Sequence, residues 1–487
     1  MGIEVANPGF SLWLVFTHFL NFLFITLLVR SGIQILAVHP RLYWNDDCTP
    51  GSEWIKFTKV KVPLDRYYTS SDDALNVSPL IALPGGKHSL GLGRQWHFLC
   101  ATLWGLNGFV YVIHLFLTDG WRRLIPTSWD VFPGSCEAFI SYLTFHLPPA
   151  VDFQPYDPLQ QLAYAGIVFI SAPLTILTGI AMSPAFIGRF PWYAKIFGGR
   201  QAARSIHFLL MVTYLGFLII HVTMVVLTGF SKNMVHIVLG KLQGNETLAI
   251  QLAFVGIGAV IAIHVAATIW SSRKPRQVQN SLGACVQRIV TLLFYPLKSK
   301  QHYRKSDISP YHWVNGYLPK TEEWLDLSKS NFSTYQLEIK GLVANPSSLS
   351  LNDLKALPRA SQIVKHCCIQ GWTGIAEWSG VSMSEIIRLA KPFPQARYII
   401  FHSYQMNKQQ TINSEIEVEY YGSIDLEEAM YPQTILAYEM NGNPLPENHG
   451  APLRLRIETK LGFKMVKWIK SIEFVEDYRK IGLGHGG

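Results

Sequence analysis

Ile206–Val222 reads IHFLLMVTYLGFLIIHV, an uncharged stretch with a histidine near each end. Extended to about 205–229, this apolar run is long enough to cross a bilayer, which takes about 20 helical residues. Histidine in such a segment is costly, so it marks either a working position or a satisfied core group. His207 and His221 are 14 residues apart. At about 100° per residue the offset falls about 40° short of four turns, so both rings share one helix face, about 21 Å apart along the axis. Two ligands stacked this way suit two haems, one toward each membrane surface.

Four further apolar runs of spanning length lie at about 11–35, 97–118, 161–182 and 248–270. Of the 487 residues, 15% are charged and 13% aromatic, a balance that fits a membrane protein with a soluble part. The net charge of +9 does not imply nucleic-acid binding, because the cations gather in particular connections. Connections 36–95, 183–204 and 271–305 hold 19 Lys and Arg, whereas the N-terminal tail, 119–160 and 231–247 hold 4. The positive-inside rule puts the heavy side in the cytoplasm, with the N-terminus outside. The start MGIEVANPGFSLW has no Lys or Arg and no twin-arginine run, and does not read as a cleavable signal peptide.

Alternating passage supplies partners for the paired histidines. His18 lies early in the first run and shares the outer level with His221. His97 opens the second run and shares the inner level with His207. His114 follows His97 by 17 residues, about 260° of phase, and faces elsewhere. His264, in the fifth run, is either a packing group or a quinone-site contact.

Beyond Trp270 the composition changes. Residues 271–305 form a basic linker containing ACVQRIVTLLFYPL, which reads as an amphipathic interfacial helix. From 306 onward, short strand-like runs such as YQLEIKGLV, ARYIIFHSY and PLRLRIE alternate with Pro, Gly and Asn turns. The expected architecture is therefore multi-domain: an all-α five-helix transmembrane bundle over 1–270, the linker, and a soluble mixed α+β domain over 306–487.

The segments THFLNFLFITLLVRSG, GRQWHF and IHFLLMVTYLGFLIIHV resemble the di-haem cytochrome b561-type family, which includes the b subunits of formate dehydrogenases and nickel–iron hydrogenases. The resemblance covers about residues 10–240. It implies haem ligation by His18 with His221 and by His97 with His207, the same pairs that depth selects. It also implies a multi-pass bacterial inner-membrane protein that meets membrane quinone or quinol. The family's formate dehydrogenase members begin with a basic, cytoplasmic N-terminus. The start here, uncharged apart from Glu4 and the terminal amine, implies the reverse sense.

In the soluble part, Lys365–Gly380 reads KHCCIQGWTGIAEWSG. Adjacent cysteines make poor disulfide partners, since their Cα atoms are about 3.8 Å apart. In an extended segment they point to opposite faces, so one of them can meet a given ligand. Cys368-Ile-Gln-Gly-Trp372-Thr resembles the metal-ligand motif of molybdopterin-binding oxidoreductases, the sulfite oxidase and protein-methionine-sulfoxide reductase fold. That resemblance selects Cys368 as the molybdenum ligand, and a soft thiolate suits such a metal. The stretch Leu436–Phe474 is similar to the family's C-terminal signature. Carried over by position, Ser403, His449, Arg454, Gly462, Phe463 and Lys464 would hold the pterin and its phosphate, with Asn315 of HWVNGY added from the domain's entry segment. Folded, cofactor-loaded members that work outside the membrane typically carry a twin-arginine signal, so a cytoplasmic domain is expected.

Together these readings imply an oxidoreductase with two b-type haems and molybdopterin-held molybdenum. It would exchange electrons with quinone in the bilayer and reduce a small sulfoxide or N-oxide. Oxidation of a substrate such as sulfite, with electrons passed to quinone, is the enzymatic alternative. A membrane electron carrier with a docking domain is the non-enzymatic one.

Overall fold

A computed structural model describes residues 10–87, 89–146, 156–294, 298–410, 415–478 and 481. Packing divides the chain into two units, one of 1–37, 75–180 and 204–290 and one of 38–74, 181–203 and 291–487.

The first unit contains most of five long apolar helices: α1 (Leu12–Val38), α2 (Leu90–Leu117), α3 (Pro158–Ala181), α4 (Arg200–Leu227) and α5 (Glu246–Arg273). Each lies within a few residues of an expected run. α2 starts earlier because its opening stretch carries Gly91, Gly93, Arg94 and Gln95, and α4 because its first turn carries Arg200 and Gln201, residues that hydropathy alone leaves out. α3 opens on Pro158, with the Asp157 carboxylate accepting from the Gln160 N–H, and relaxes to π-helical geometry over Gly166–Ser171. α5 is capped in the same way by Asn245, which accepts from the Leu248 N–H. The exposed large side chains on these helices, among them Phe109, Ile219, Val255 and Ile261, suit lipid contact.

The linker forms one helix, α6 (Pro275–Phe294), which begins earlier than the apolar piece that announced it. Val278, Leu282 and Val286 recur every four residues and are buried. Val278 and Leu282 pack against Leu92, Trp96 and Leu99 of α2. The first turns of the apolar stripe thus rest on protein, whereas Ile289 and Leu292 further along α6 are exposed.

In the second unit the C-terminal chain forms two five-stranded sheets. In chain order the strands are β1 (Gln336–Gly341), β2 (Ser347–Ser350), β3 (Arg359–Cys367), β4 (Thr373–Ser382), β5 (Tyr398–Gln410), β6 (Glu415–Asp425), β7 (Ile435–Met440), β8 (Asn443–Pro444), β9 (Arg454–Arg456) and β10 (Ile469–Val475). One sheet runs β8-β7-β4-β3, with β9 also on β7. The other runs β2-β1-β10-β5-β6, with β10 parallel to β1. Alternation along β1 buries Leu337 and Ile339 in a shared core with Phe401, Leu455, Trp468 and Ile472. β5 shifts register between His402 and Met406, a bulge that bends the strand at Ser403.

The remaining segments of this unit, 38–74 and 181–203, connect α1 to α2 and α3 to α4. Alternating passage puts these two connections and the chain beyond α5 on one side of a membrane, so their joint packing agrees with five spans.

Gly380 is tied to its position by close approach. A Cβ there would lie 1.8 Å from the Leu436 carbonyl oxygen of the neighbouring strand. Gly380→Ala is expected to push β4 and β7 apart and cost about 3 kcal/mol. Tryptophan fluorescence during thermal unfolding of the full chain should show an earlier transition. Melting like the wild type would contradict this close approach.

Candidate metal and cofactor sites

In the first unit, four of the histidines meet as two pairs. The rings of His18 and His221 are 6.2 Å apart between centroids and inclined by 62°, and those of His97 and His207 repeat both values. Two imidazoles sharing one metal, with bonds of about 2.0 Å and about 1.1 Å from each nitrogen to its ring centre, have centroids about 6.2 Å apart. The observed spacing fits bis-histidine ligation.

The outer nitrogens are also engaged. His97 Nδ1 lies 3.1 Å from Ser31 Oγ, and His207 Nδ1 lies 3.0 Å from Thr178 Oγ1. Both hydroxyls donate to backbone carbonyls of their own helix, Ser31 to Leu27 and Thr178 to Leu174, so each accepts from the imidazole. That leaves the Nε2 lone pair of His97 and of His207 for a metal, an arrangement that fixes tautomer and ring orientation. Tyr164 Oη sits 3.2 Å from His221 Nδ1. These residues fit b haems.

His114 stacks on Trp13 with centroids 5.1 Å apart. His264 receives a hydrogen bond from Arg30 Nη1 at 2.8 Å on Nδ1 and contacts Thr26 Oγ1 at 2.9 Å through Nε2.

In the second unit, β3 ends on Cys367, which pairs with Thr373. Cys368 opens a tight turn. The Gly371 N–H donates to the Cys368 carbonyl at 3.1 Å, and the Cys368 N–H donates to the Trp372 carbonyl at 3.0 Å. Gly371 takes φ +120°, a backbone that favours glycine. The two thiols part as alternation requires. Cys367 packs with Ile187, Ala194 and Leu461, whereas Cys368 packs with Trp313 and Trp372. Asn315 Nδ2 donates to Cys368 Sγ at 3.5 Å. Burial pushes the Cys368 thiol up to about 12, against the pull of the Gln370 backbone N–H and of the Arg200 and Lys467 charges. A coordinating metal deprotonates such a thiol.

Beside this turn lies a cavity of about 190 Å³. Asn315, His449, Arg454, Gly462 and Phe463 line it, together with His312, His366, Trp372, Gln405, Tyr420 and Lys467. Arg454 and Arg456 lie two apart on β9, and their guanidinium carbons sit 4.6 and 4.5 Å from the Trp378 ring centre. Arg456 is neutralised by Glu458 through bonds of 2.8 and 3.0 Å from Nη2, and its Nη1 donates to His366 Nδ1 at 2.7 Å.

Arg454 has no such partner. Its Nη1 donates to the His449 carbonyl at 2.9 Å, and its buried Nε–H has no acceptor among the described residues. Lys467 donates to the carbonyls of Asn315 at 2.5 Å and Asn448 at 3.1 Å. Burial, and then repulsion from Arg456 and Arg454 respectively, depresses Arg454 and Lys467 well below their ordinary values. Burial likewise lowers His312 to about 3 and holds His366 and His449 neutral. An anion would relieve this repulsion, and Arg454 Nε–H is a donor in waiting for it. The donor set fits a phosphate-bearing pterin. Gly462 is required here, since a Cβ would come within 2.5 Å of His366 Nε2.

Ser403 and Lys464 lie outside the lining. Ser403 Oγ donates to the Lys467 carbonyl at 2.7 Å and accepts from the Gln405 N–H at 3.1 Å, so it shapes the backbone behind two lining residues. Lys464 turns away and donates to the Ser423 carbonyl at 3.2 Å. His312 and His366 carried a signal that sequence reasoning passed over: they stand in the quoted stretches HWVNGY and KHCC. Lys467 also stands in such a stretch, Leu436–Phe474, three residues after the lysine that position selects.

Cys368→Ser should abolish turnover while both haems stay bound, and Cys367→Ser should be far milder. Equal loss in the two variants would contradict the choice of ligand. His207→Ala should remove one haem, read as half the haem per chain in the optical spectrum. Two unperturbed haems would overturn the pairing.

Residues 9–238 match the family model for prokaryotic cytochrome b561, and residues 325–481 match that for the oxidoreductase molybdopterin-binding domain. A protein of Azospira oryzae, provisionally named protein-methionine-sulfoxide reductase subunit YedZ1, is 32% identical over 38% of this chain and 64% of its own. The protein-methionine-sulfoxide reductase catalytic subunit MsrP of Xanthomonas campestris is 32% identical over 36% of this chain and 55% of its own. MsrP of Campylobacter jejuni is 31% identical over 35% of this chain and 59% of its own. The chain thus spans between half and two thirds of the length of these relatives. It is a fusion that joins a membrane domain of the prokaryotic cytochrome b561 family to a molybdopterin-binding oxidoreductase domain.

Proposed function

We propose that this chain is a membrane-bound molybdenum enzyme that draws electrons from quinol in the bilayer, passes them through two b haems and reduces a sulfoxide. The observation that carries the reading is the anion-seeking cavity beside the Cys368 thiol. The methionine-sulfoxide reductase names of its relatives favour reduction of a sulfoxide over oxidation of sulfite.

The domains are 1–270 for the haem bundle, 271–305 for the linker and 306–487 for the molybdopterin part. Four histidines hold the haems, His18 with His221 and His97 with His207. Cys368 holds molybdenum, and Asn315 orients its sulfur. Arg454 and Lys467 bind the anionic end of the pterin, with His449, Gly462 and Phe463 around it. Ser403 supports this wall from behind. Lys464, outside the cavity, braces the Gly462–Lys464 turn through the Ser423 carbonyl. Bound molybdenum supplies the oxygen-atom transfer. Overall, one sulfoxide, two electrons and two protons give a thioether and water. The positive-inside charge count supports a molybdopterin part in the cytoplasm and an N-terminus outside, and the cytochrome family suits a bacterial inner membrane.

The test uses purified full-length protein reduced with a quinol under anaerobic conditions. Adding methionine sulfoxide should reoxidise the haems in the wild type and leave them reduced in Cys368→Ser. Haems that ignore sulfoxides, but become reduced when sulfite is added to oxidised protein, would reverse the direction of electron flow.

A further inference from the structure

The turn that carries Cys368 is held by residues outside the molybdopterin-binding sequence match, on connections of the membrane domain. Arg200 and Gln201 form the first turn of α4. Arg200 Nη1 donates to the Gly371 carbonyl at 2.7 Å, and Gln201 Nε2 donates to the same oxygen at 2.8 Å and to Thr373 Oγ1 at 3.1 Å. Gly371 lies three residues after the metal ligand. A carbonyl that accepts two side-chain bonds from one helix turn has little freedom to rotate.

The helix turn is itself anchored. Asp46, from the connection after α1, accepts from the Arg200 N–H at 3.3 Å and the Gln201 N–H at 2.8 Å, and pairs with the Lys365 ammonium, three residues before Cys368. The Asp46 carbonyl accepts from Thr373 Oγ1 at 2.7 Å. On the other flank, Trp372 Nε1 donates to Ser70 Oγ at 3.1 Å and Gln370 Nε2 donates to Ser71 Oγ at 3.3 Å. Residues 365–373 are thereby clamped by two connections distant in sequence.

Arg200 adds a charge to this clamp. It is 4% exposed, its Nε donates to the Met182 carbonyl at 3.1 Å, and among the described residues no carboxylate forms an ion pair with it. A buried guanidinium bonded to carbonyls alone keeps its field, because little solvent screens it. The Cys368 thiol feels that charge, which pulls it down against the effect of burial.

We propose that Arg200 and Gln201 are positioning residues for the metal-ligating turn, and that the Arg200 charge raises the reduction potential of a metal held by Cys368. This rests on the molybdenum reading above. The physical reason is that reduction adds negative charge, which a nearby buried cation stabilises. Gln201 contributes geometry without charge, so the two residues separate the two effects.

The experiment compares full-length holoenzyme with Arg200→Gln, Arg200→Lys and Gln201→Leu. Molybdenum and haem are counted, and redox titration is followed by electron paramagnetic resonance of the molybdenum. Arg200→Gln should keep both haems, shift the molybdenum potential negative and lower kcat about tenfold, with KM little changed. Arg200→Lys should restore the potential. Gln201→Leu should change the resonance line shape or lower metal occupancy while the potential of the loaded fraction stays put. An unmoved potential in metal-loaded Arg200→Gln would overturn the electrostatic part. Normal line shape and occupancy in Gln201→Leu would overturn the geometric part. Loss of haem and metal together in both Arg200 variants would show a folding role and overturn the proposal. Absence of molybdenum from the wild type is a separate outcome, and it refutes the molybdenum reading itself.

Discussion

A guanidinium and an ammonium, Arg454 and Lys467, are buried on one cavity wall with no carboxylate paired to either among the described residues. Such a cluster is unfavourable by itself, because burial strips away water and each cation repels the other. Arg456 close by shows the contrast, since Glu458 satisfies it fully. The difference leaves the Arg454 Nε–H without an acceptor among the described residues, a donor that suits an anion. The same cavity wall holds His312, His366 and His449, whose burial keeps their values low, and it lies beside the Cys368 turn.

A second constraint works in the bundle. Each histidine pair has its rings 6.2 Å apart, and Ser31 and Thr178 turn the Nε2 atoms of His97 and His207 into free ligands. Hydroxyls that already donate to their own helix backbone can only accept from imidazole, so the tautomer is set before any metal arrives. The histidine pairs and the Cys368 turn are thus both oriented by hydrogen bonds from neighbouring side chains, as a bound metal would require.

What sequence could reveal divides along physical lines. The spans and the two histidine pairs were legible because hydropathy and helical phase are local properties of one helix. The opposed directions of Cys367 and Cys368 were legible for the same reason, since alternation is local to a strand. The 3₁₀ turn at Gly462–Lys464 swings Lys464 to the Ser423 carbonyl, and a lysine three residues later enters the cavity instead. Position-by-position likeness carries no information on that rotation. Least legible were Asp46, Ser70, Arg200 and Gln201. They reach residues 365–373 across long separations in sequence, and their own neighbourhoods show no periodicity that announces a site.

The central claim is that one polypeptide carries two bis-histidine haems and a cysteine-held molybdenum. Elemental and haem analysis of the purified full-length protein, expressed in a host that makes both prosthetic groups, tests it most directly. The account predicts two b haems and one molybdenum per chain. A colourless protein without molybdenum would contradict it.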